Sequence, residues 1–371
     1  MQILKKITVL ESSNYILDNR YKTIPIDKNL DTEEIKLLRD YVLNKINLLE
    51  YKDPEIILKT MEWVSSQWKH DGMNQAPKNM SSYEILKKVK KGERYRCVEY
   101  GRVTADILLS LGYVSRRIGV RSKDADYGGF GMGHVASEVW SNKLKKWIFV
   151  DPQFSIYAKY QSNYLNFYDM YKLKCENLFD NIEFIVPKDY AKENDINLDK
   201  YINNYKNFIN NYFGYVIIPY SLDGKEMNLT LILDGKEPFM TFQGTCDDNN
   251  IFTNKPEDLY FSINNSIIIF KYKEKTDLNK VIKDFNIKTN DDYKEHMGHF
   301  AAEPNYTLTF QNNMKWFSHY EININSNGWV EIESDKYDWN LHNGINTLAV
   351  RGVNAAGKEG IPCSIKINYG N

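Results

Sequence analysis

The sequence has no excess of charge of either sign and no long apolar run. Its 371 residues carry 48 Lys and Arg against 49 Asp and Glu, which gives a formal net charge of −1. This balance provides no basic field for a phosphate backbone, so a nucleic acid partner is not expected. No window approaches the roughly 20 apolar residues that a membrane-spanning helix needs, so no membrane span is expected either.

The N-terminal stretch does not have the form of a secretion signal. Residues 1–17 lack a continuous apolar centre and a small-residue cleavage site. The compartment is therefore left open: it is extracytoplasmic if a signal peptide has been removed, and cytoplasmic otherwise.

Cysteine is scarce and does not occur in pairs. Cys97, Cys175, Cys246 and Cys363 lie far apart, and the chain has no C-x-x-C motif for zinc or for dithiol redox chemistry. Free cysteine is among the most buried residue types, so the last three are expected to be small buried side chains.

Cofactor motifs are absent as well. The phosphate-loop pattern G-x-x-x-x-G-K-[ST] does not occur, and no other cofactor is implied. His296, His299 and Glu303 would share one face of a helix, but a fourth ligand is not in view. No metal site is predicted.

What the sequence does contain is a globular composition and a change of periodicity. Hydrophobic residues make up 42% and aromatic residues 14%. Apolar residues at i, i+3 and i+4 predict helices over 34–50, 53–68, 81–92 and 97–112. In the second helix, Asp53 is the expected N-cap and Pro54 the first helical residue.

Beyond residue 112 the apolar period becomes two, which predicts strands over 113–121, 134–140 and 146–151. Helices followed by an antiparallel sheet indicate an α+β class. We expect residues 1–187 to form one domain with an N-terminal helical extension. A helical connector over 188–214, a β-rich domain over 215–290 and an immunoglobulin-like β-sandwich over 291–371 are expected to follow.

Cys97 lies at or near the expected start of the fourth helix, and His134 begins a predicted strand. A helix start favours a thiolate because its unpaired N–H groups carry partial positive charge. An imidazole close to such a thiol would activate it as a nucleophile.

The hairpin after His134 suggests what would orient its ring. If the turn comprises residues 141–144, Trp140 pairs with Lys145, and the same register sets His134 opposite Asp151. Opposed residues on one face of an antiparallel pair have Cβ atoms about 4.5–5.5 Å apart, so the carboxylate could hold the imidazole. A slip of one residue would send Asp151 to the other face.

Three segments, RCVEYGRVTADILLSLGYVSRRIGV (96–120), GHVASEVW (133–140) and KKWIFVDPQ (145–153), together resemble the transglutaminase-like superfamily. The resemblance covers roughly residues 53–154. It implies a papain-like core of helices packed on an antiparallel sheet, followed here by β-sandwich domains that position the enzyme or its substrate.

The resemblance also implies roles. Cys97 would be the nucleophile, His134 the general base and then acid, and Asp151 the orienting carboxylate. The expected activity is acyl transfer on peptide or protein amides through a thioester. Bacterial-looking members with this arrangement are inferred to be proteases or amidases, which favours hydrolysis over cross-linking.

Two alternatives stay open. The Arg-Cys-x-Glu-aromatic run over 96–100 is similar to the peptide N-glycanase branch, whose substrates are glycopeptides. That branch has a zinc site built from paired C-x-x-C motifs, which this chain lacks. The other alternative is an inactive core in a binding or structural protein that works through its β domains.

Supporting residues are less clearly marked. The backbone N–H of Cys97 is the natural first oxyanion donor, and Gln67 is predicted as a second. The glycine-rich segment 124–133 leads into His134 and is a candidate flap. Glu99 and Glu138 are expected either to support the site residues or to have structural roles.

Overall fold

A computed structural model of the chain describes residues 5–24, 28–123, 133–235 and 249–370. The fold is mixed α/β with several sheets. Its contacts divide the chain into a large unit, residues 19–262, and a small unit, residues 1–18 with 263–371. Within the described ranges, none of the helices combines the length and apolar character that crossing a bilayer requires.

The secondary structure contains nine α-helices and seventeen strands in the described residues. The helices are α1 (Glu33–Leu43), α2 (Glu55–Ser65), α3 (Ser82–Val89), α4 (Cys97–Ser110), α5 (Phe167–Cys175), α6 (Lys188–Glu193), α7 (Leu198–Ile209), α8 (Leu278–Asp284) and α9 (Asn290–Glu295). The strands are β1 (Lys6–Ser12), β2 (Ser115–Arg121), β3 (Gly133–Ser141), β4 (Lys146–Asp151), β5 (Ile156–Tyr160), β6 (Asn163–Tyr164), β7 (Glu183–Ile185), β8 (Tyr215–Leu222), β9 (Lys225–Ile232), β10 (Asn250–Thr253), β11 (Ser266–Tyr272), β12 (Asn305–Asn312), β13 (Phe317–Ile324), β14 (Val330–Ile332), β15 (Lys336–Asn340), β16 (Gly344–Asn354) and β17 (Cys363–Gly370).

The large unit is built on one sheet in the order β10-β9-β8-β2-β3-β4-β5-β6, with β7 beside β5. Its pairs are antiparallel except β10 with β9. Helices α1 to α4 share an apolar core with one face of this sheet, and α5 to α7 share another core with the opposite face. Alternate residues of β3 and β4 contribute to the two cores, as the strand period of two requires.

Local sequence explains how the first four helices begin and end. Ser81 and Glu84 form the predicted capping box at the start of α3. Gly92 follows that helix with a φ of +97°, a conformation that favours glycine. The helix over 97–112 is confirmed as α4, whereas the helix predicted over 34–50 ends at Leu43 and resumes only as a short 3₁₀ turn.

The prediction that Asp53 caps the second helix is wrong. The helix begins at Glu55 after Pro54, and no side chain caps it. The Asp53 carboxylate instead accepts hydrogen bonds from the hydroxyl of Ser141 and, at 3.1 Å, from the backbone N–H of Lys143. Asp53 therefore ties the start of α2 to the turn between β3 and β4.

The division by contacts differs from the boundaries that the sequence suggested. Residues 188–214 and the start of 215–290 belong to the large unit, because α6 and α7 cover its sheet and β8 pairs with β2. The boundary lies at 262/263, and the N-terminal strand β1 pairs with β17 of the small unit. The helical connector over 188–214, the β-rich domain over 215–290 and the immunoglobulin-like β-sandwich over 291–371 stay predictions.

The described residues of the small unit form two sheets. One has the order β1-β17-β16-β13-β14 and the other β11-β12-β15. Apolar side chains from both sheets form a single core, which includes Leu308, Phe310, Trp339, Leu348 and Val350. Two sheets that share their inner faces form a β-sandwich.

At Gly101, α4 packs closely against the sheet. A Cβ at this position would lie 2.9 Å from Cγ1 of Val135 and 3.0 Å from the carbonyl oxygen of Ala136. The hydroxyl of Ser137 donates to the Gly101 carbonyl at 3.0 Å across the same contact. The absence of a side chain at Gly101 thus sets the separation of α4 and β3.

Replacing Gly101 with alanine should destabilise the large unit although alanine is the better helix former. The propensity gain is about 1 kcal/mol, whereas overpacking a tight contact costs about 1–3 kcal/mol. We expect the melting temperature to fall by about 3 °C. Gly119→Ala is the matched control, because its nearest neighbour would be 3.6 Å away. An unchanged melting temperature for Gly101→Ala would contradict the close contact.

Candidate active site

Cys97 is the first residue of α4 and is partly exposed to solvent. The preceding residue, Arg96, gives the helix no side-chain cap. The first-turn N–H groups therefore keep their partial positive charge beside the thiol. The imidazoles of His134 and His70 and the backbone N–H of Val135 lie close enough to the Cys97 thiol to lower its pKa.

His134 and Asp151 form a buried hydrogen-bonded pair. Nε2 of His134 lies 2.7 Å from Oδ2 of Asp151, and the two residues are 3% and 0% exposed. The same oxygen accepts a hydrogen bond from the hydroxyl of Tyr205 at 2.9 Å, and Oδ1 accepts one from the backbone N–H of Gln153 at 3.1 Å. Because Nε2 faces the carboxylate, Nδ1 is the ring nitrogen left for the Cys97 thiol.

The predicted register of β3 against β4 differs from the observed register by two residues. Ser141, not Trp140, closes the hairpin by pairing with Lys146, and Trp140 pairs with Trp147. Lys145 has a φ of +53° and is the last residue of the turn, so the turn comprises residues 142–145 and β3 extends one residue further, to Ser141. A shift of two residues preserves the face, so Asp151 becomes the diagonal neighbour of His134 rather than its direct partner.

The pKa of the Cys97 thiol is lowered and the pKa of the His134 imidazole is raised, which favours an ion pair between them. Burial by itself raises the pKa of Cys97. Four opposing effects outweigh it: hydrogen bonding by His134 and by His70, the charge of His134, and the backbone N–H of Val135. The net result is that the pKa falls from 9.0 to about 6. Burial lowers the pKa of His134, but the charge and hydrogen bond of Asp151 raise it from 6.5 to about 10. Between these values the site contains thiolate and imidazolium.

Helix α7 supplies the wall around the imidazole. The ring of Phe208 contacts His134 edge-on with centroids 5.1 Å apart, and Tyr212 lies 6.3 Å away just beyond the helix end. Burial, followed by the charge of Asp151, raises the pKa of Tyr205 well above 10, so its hydroxyl stays protonated and donates. The sequence analysis treated this helix as a connector, although Tyr201, Tyr205 and Phe208 share a helical stripe.

His70 is a second imidazole at the thiol, and the sequence analysis missed it. Its side chain lies close enough to Cys97 to lower the pKa of that thiol, and it is exposed to solvent. The backbone N–H of Asp71 and Nε1 of Trp68 both donate to the carbonyl of Tyr95, at 3.0 and 3.1 Å. These bonds fix the segment around His70 against the residues that precede Cys97. No motif marks His70 in the sequence.

A basic side chain completes the surroundings of the thiol. Burial lowers the pKa of the Arg121 guanidinium, and the negative charge of Cys97 acts in the opposite direction. Arg121 is the last residue of β2 and pairs with Gly133 at the start of β3. The thiolate therefore lies near an arginine charge as well as two imidazoles.

The remaining predicted site residues lie elsewhere or have structural roles. Nε2 of Gln67 donates to the carbonyl of Trp63 at 2.8 Å, at the end of its own helix. Glu138 pairs with Arg116 at 2.6 Å in the core, and Oε1 of Glu99 accepts the backbone N–H of Ala76 at 3.0 Å. Of the glycine-rich segment, residues 124–132 lie outside the described residues.

The other cysteines differ in environment. Cys363 is buried, as predicted, and burial raises its pKa. Cys175 is exposed, so the prediction of a buried thiol there is wrong. It is the last residue of α5, a surface helix end. Cys246 lies outside the described residues.

Histidine, cysteine and acidic side chains do not cluster as metal ligands in the described part of the chain. Over 5–24, 28–123, 133–235 and 249–370, they form no group of three or more that could hold an ion. The rings of His296 and His299 instead contact the ring of Phe285, with centroids 4.8 and 4.1 Å away.

Comparisons with known proteins give little beyond this geometry. No protein-family model matches the chain, and no curated protein matches it. Among solved structures, it is similar to the crystal structure of the red sea bream transglutaminase, with 11% identity and a TM-score of 0.27. That alignment covers 91% of this chain and 73% of the other. A likeness at this level supports no conclusion about the site.

Alkylation of Cys97 by iodoacetamide should follow a pH midpoint near 6, because the thiolate is the nucleophile and its fraction rises as pH passes the pKa. In His134→Gln the charge is lost while burial remains, so the midpoint should move upward toward 9. The measurement is the pH profile of the rate in protein that carries Cys175→Ser and Cys246→Ser.

The midpoint is more informative than the rate at one pH. A thiolate of higher pKa is intrinsically more nucleophilic, with a Brønsted coefficient of about 0.4–0.5, and this partly offsets its lower population. Cys97→Ser defines the background reaction. Equal midpoints for the parent and His134→Gln would contradict the proposed ion pair.

Proposed function

We propose that the chain is a cysteine-dependent hydrolase that cleaves peptide or protein amides through a thioester. The observation that supports this most is the line of groups formed by the Cys97 thiol, the His134 ring that lowers its pKa, and the buried Asp151 carboxylate that is hydrogen-bonded to that ring. This line combines a nucleophile, a proton carrier and an orienting group, which acyl transfer requires.

In the first half-reaction the Cys97 thiolate attacks the amide carbonyl carbon, and the carbonyl oxygen becomes an oxyanion. The imidazolium of His134 gives its proton to the leaving nitrogen as the C–N bond breaks. The products are a free amine and a thioester on Cys97. His134 is then neutral and Asp151 keeps its orientation.

In the second half-reaction water attacks the thioester. His134 takes a proton from that water, the C–S bond breaks, and the carboxylic product leaves while the thiolate is restored. An amine in place of water would give a cross-link by the same steps. Partial exposure of Cys97 and exposure of His70 support water as the acceptor.

The oxyanion needs donors, and two positions favour this role. The backbone N–H of Cys97 lies at the helix start, where such groups are unpaired. His70, which contacts the thiol from the solvent side, is the second donor that we propose. Gln67 stays a prediction in this role, since its amide is engaged with Trp63.

The activity can be tested with a mixture of peptides in water enriched in ¹⁸O. Hydrolysis incorporates one ¹⁸O into each new carboxyl group, and mass spectrometry distinguishes a cleaved backbone from a converted side-chain amide. Added methylamine reports transfer to an amine, and a glycopeptide in the mixture reports glycan release. We expect ¹⁸O-labelled carboxylates that are absent with Cys97→Ser. No labelled product would favour a protein that only binds.

Asp151→Asn should lower kcat by orders of magnitude, because the asparagine amide favours the wrong imidazole tautomer and removes the charge that sustains imidazolium. Tyr205→Phe is the matched control. It removes one hydrogen bond to the same carboxylate oxygen and keeps the charge, so we expect a loss of less than about tenfold. Equal losses in the two variants would contradict the role of Asp151.

His70→Ala should lower kcat/KM by about 10²-fold, the usual cost of one oxyanion donor. Because the His70 hydrogen bond also lowers the pKa of Cys97, the alkylation midpoint should move upward in the same variant. His70→Asn restores a donor without a charge and should recover part of the rate. A normal kcat/KM in His70→Ala would exclude His70 from catalysis.

A further inference from the structure

A pocket of about 800 Å³ in the large unit lies along one side of α4. Its helical wall contains Val98, Arg102 and Asp106, which are spaced by four residues and so share a face. The sheet contributes Arg117 from β2 and Glu226 from β9. The volume lies within the range of about 300–1,000 Å³ that ligand sites usually have.

Several charges at this pocket are already paired. Nζ of Lys28 lies 3.0 Å from Oδ2 of Asp106, which also accepts a hydrogen bond from the Ser82 hydroxyl. Asp258 pairs with Arg20 at 3.3 Å. Each of these charged groups already has a partner of opposite charge within the protein, so a bound ligand is not required to neutralise it.

Arg102 and Arg117 differ from those groups. The Nε atom of Arg102 is 3.9 Å from Asp106 Oδ2, beyond hydrogen-bond length, and within the described residues neither guanidinium has a hydrogen-bond acceptor. Loss of hydration and repulsion from Arg102 both lower the pKa of Arg117. Two guanidinium groups therefore lie in one pocket, close enough to repel each other, with their donors available.

A guanidinium binds carboxylate or phosphate through two parallel hydrogen bonds. The carboxylates of Glu99, Asp106 and Glu226 also act on Arg117. These surrounding negative charges disfavour a dianion more than a single carboxylate. The pocket therefore suits a group of charge −1.

The pocket lining includes Val98 and Glu99, the two residues that follow Cys97 on α4. With a rise of about 1.5 Å and a turn of about 100° per residue, Arg102 is roughly 7.5 Å along the helix axis and about 140° around it from Cys97. An extended peptide covers the axial part of that separation in about two residues and needs further residues to pass around the helix.

We propose that Arg102 and Arg117 bind the carboxylate of an acidic residue in the peptide substrate, a few residues from the carbonyl that Cys97 attacks. This assignment of substrate class rests on the proposed function. The remaining pocket volume accommodates the neighbouring part of the peptide.

The test measures binding in Cys97→Ser protein, so that it does not depend on turnover. The probes are a capped five-residue peptide with one glutamate, the same peptide with glutamine, and inorganic phosphate. The ¹⁵N–¹H signals of the arginine Nε groups are followed during titration, with Arg102→Gln and Arg117→Gln providing their assignment. Melting temperatures establish that each variant is folded.

We expect the glutamate peptide to shift the signals of Arg102 and Arg117 and to bind at least about tenfold more tightly than the glutamine peptide. Each Arg→Gln variant should lose about tenfold in affinity, which corresponds to about 1.4 kcal/mol. Arg39→Gln, on α1 outside the pocket, is the matched control and should bind as the parent does.

Equal affinity for the two peptides, or binding of phosphate but not of the glutamate peptide, would overturn the proposal. So would binding that leaves both arginine signals unmoved. These outcomes are separate from a failure of the proposed function, which appears as absent ¹⁸O incorporation with intact Cys97.

Discussion

The buried carboxylate of Asp151 is the constraint on which the rest of the site depends. A charge without solvent contact is costly unless it is paired and hydrogen-bonded. Here His134, Tyr205 and the Gln153 N–H supply three donors. The carboxylate in turn favours imidazolium, and the imidazolium favours thiolate at Cys97. One buried group thus sets the ionisation of two others.

The fold brings these groups together by stacking two helical layers on one sheet. Helix α4 provides the thiol from one layer, and α7 provides Tyr205 from the other. His134 and Asp151 come from neighbouring strands between them. The close contact at Gly101 holds α4 against β3, so the distance from thiol to imidazole depends on packing as well as on the hydrogen bonds.

Periodicity and local motifs were enough to predict the helix that begins at Cys97, the strands that carry His134 and Asp151, and the face those two share. The hairpin register was two residues out, because the left-handed residue at the end of the turn leaves no clear mark in sequence. The sequence shows Tyr205 as part of an aromatic stripe on its helix. It does not show that this stripe packs against the strand that carries Asp151. The position of His70 beside Cys97 and the hydrogen bonds of Asp53 to the β3–β4 turn both join segments that are far apart in the chain. No local sequence pattern encodes such contacts.

The protonation state of the His134 ring tests the central claim most directly. Protein labelled with [¹⁵N]histidine, with His134→Gln to assign its signals, reports both ring nitrogens across pH 5 to 11. The account predicts that both are protonated at pH 8 and that one loses its proton only near pH 10. A ring that is already neutral at pH 8, with a transition near its ordinary value of 6.5, would contradict the ion pair and the mechanism built on it.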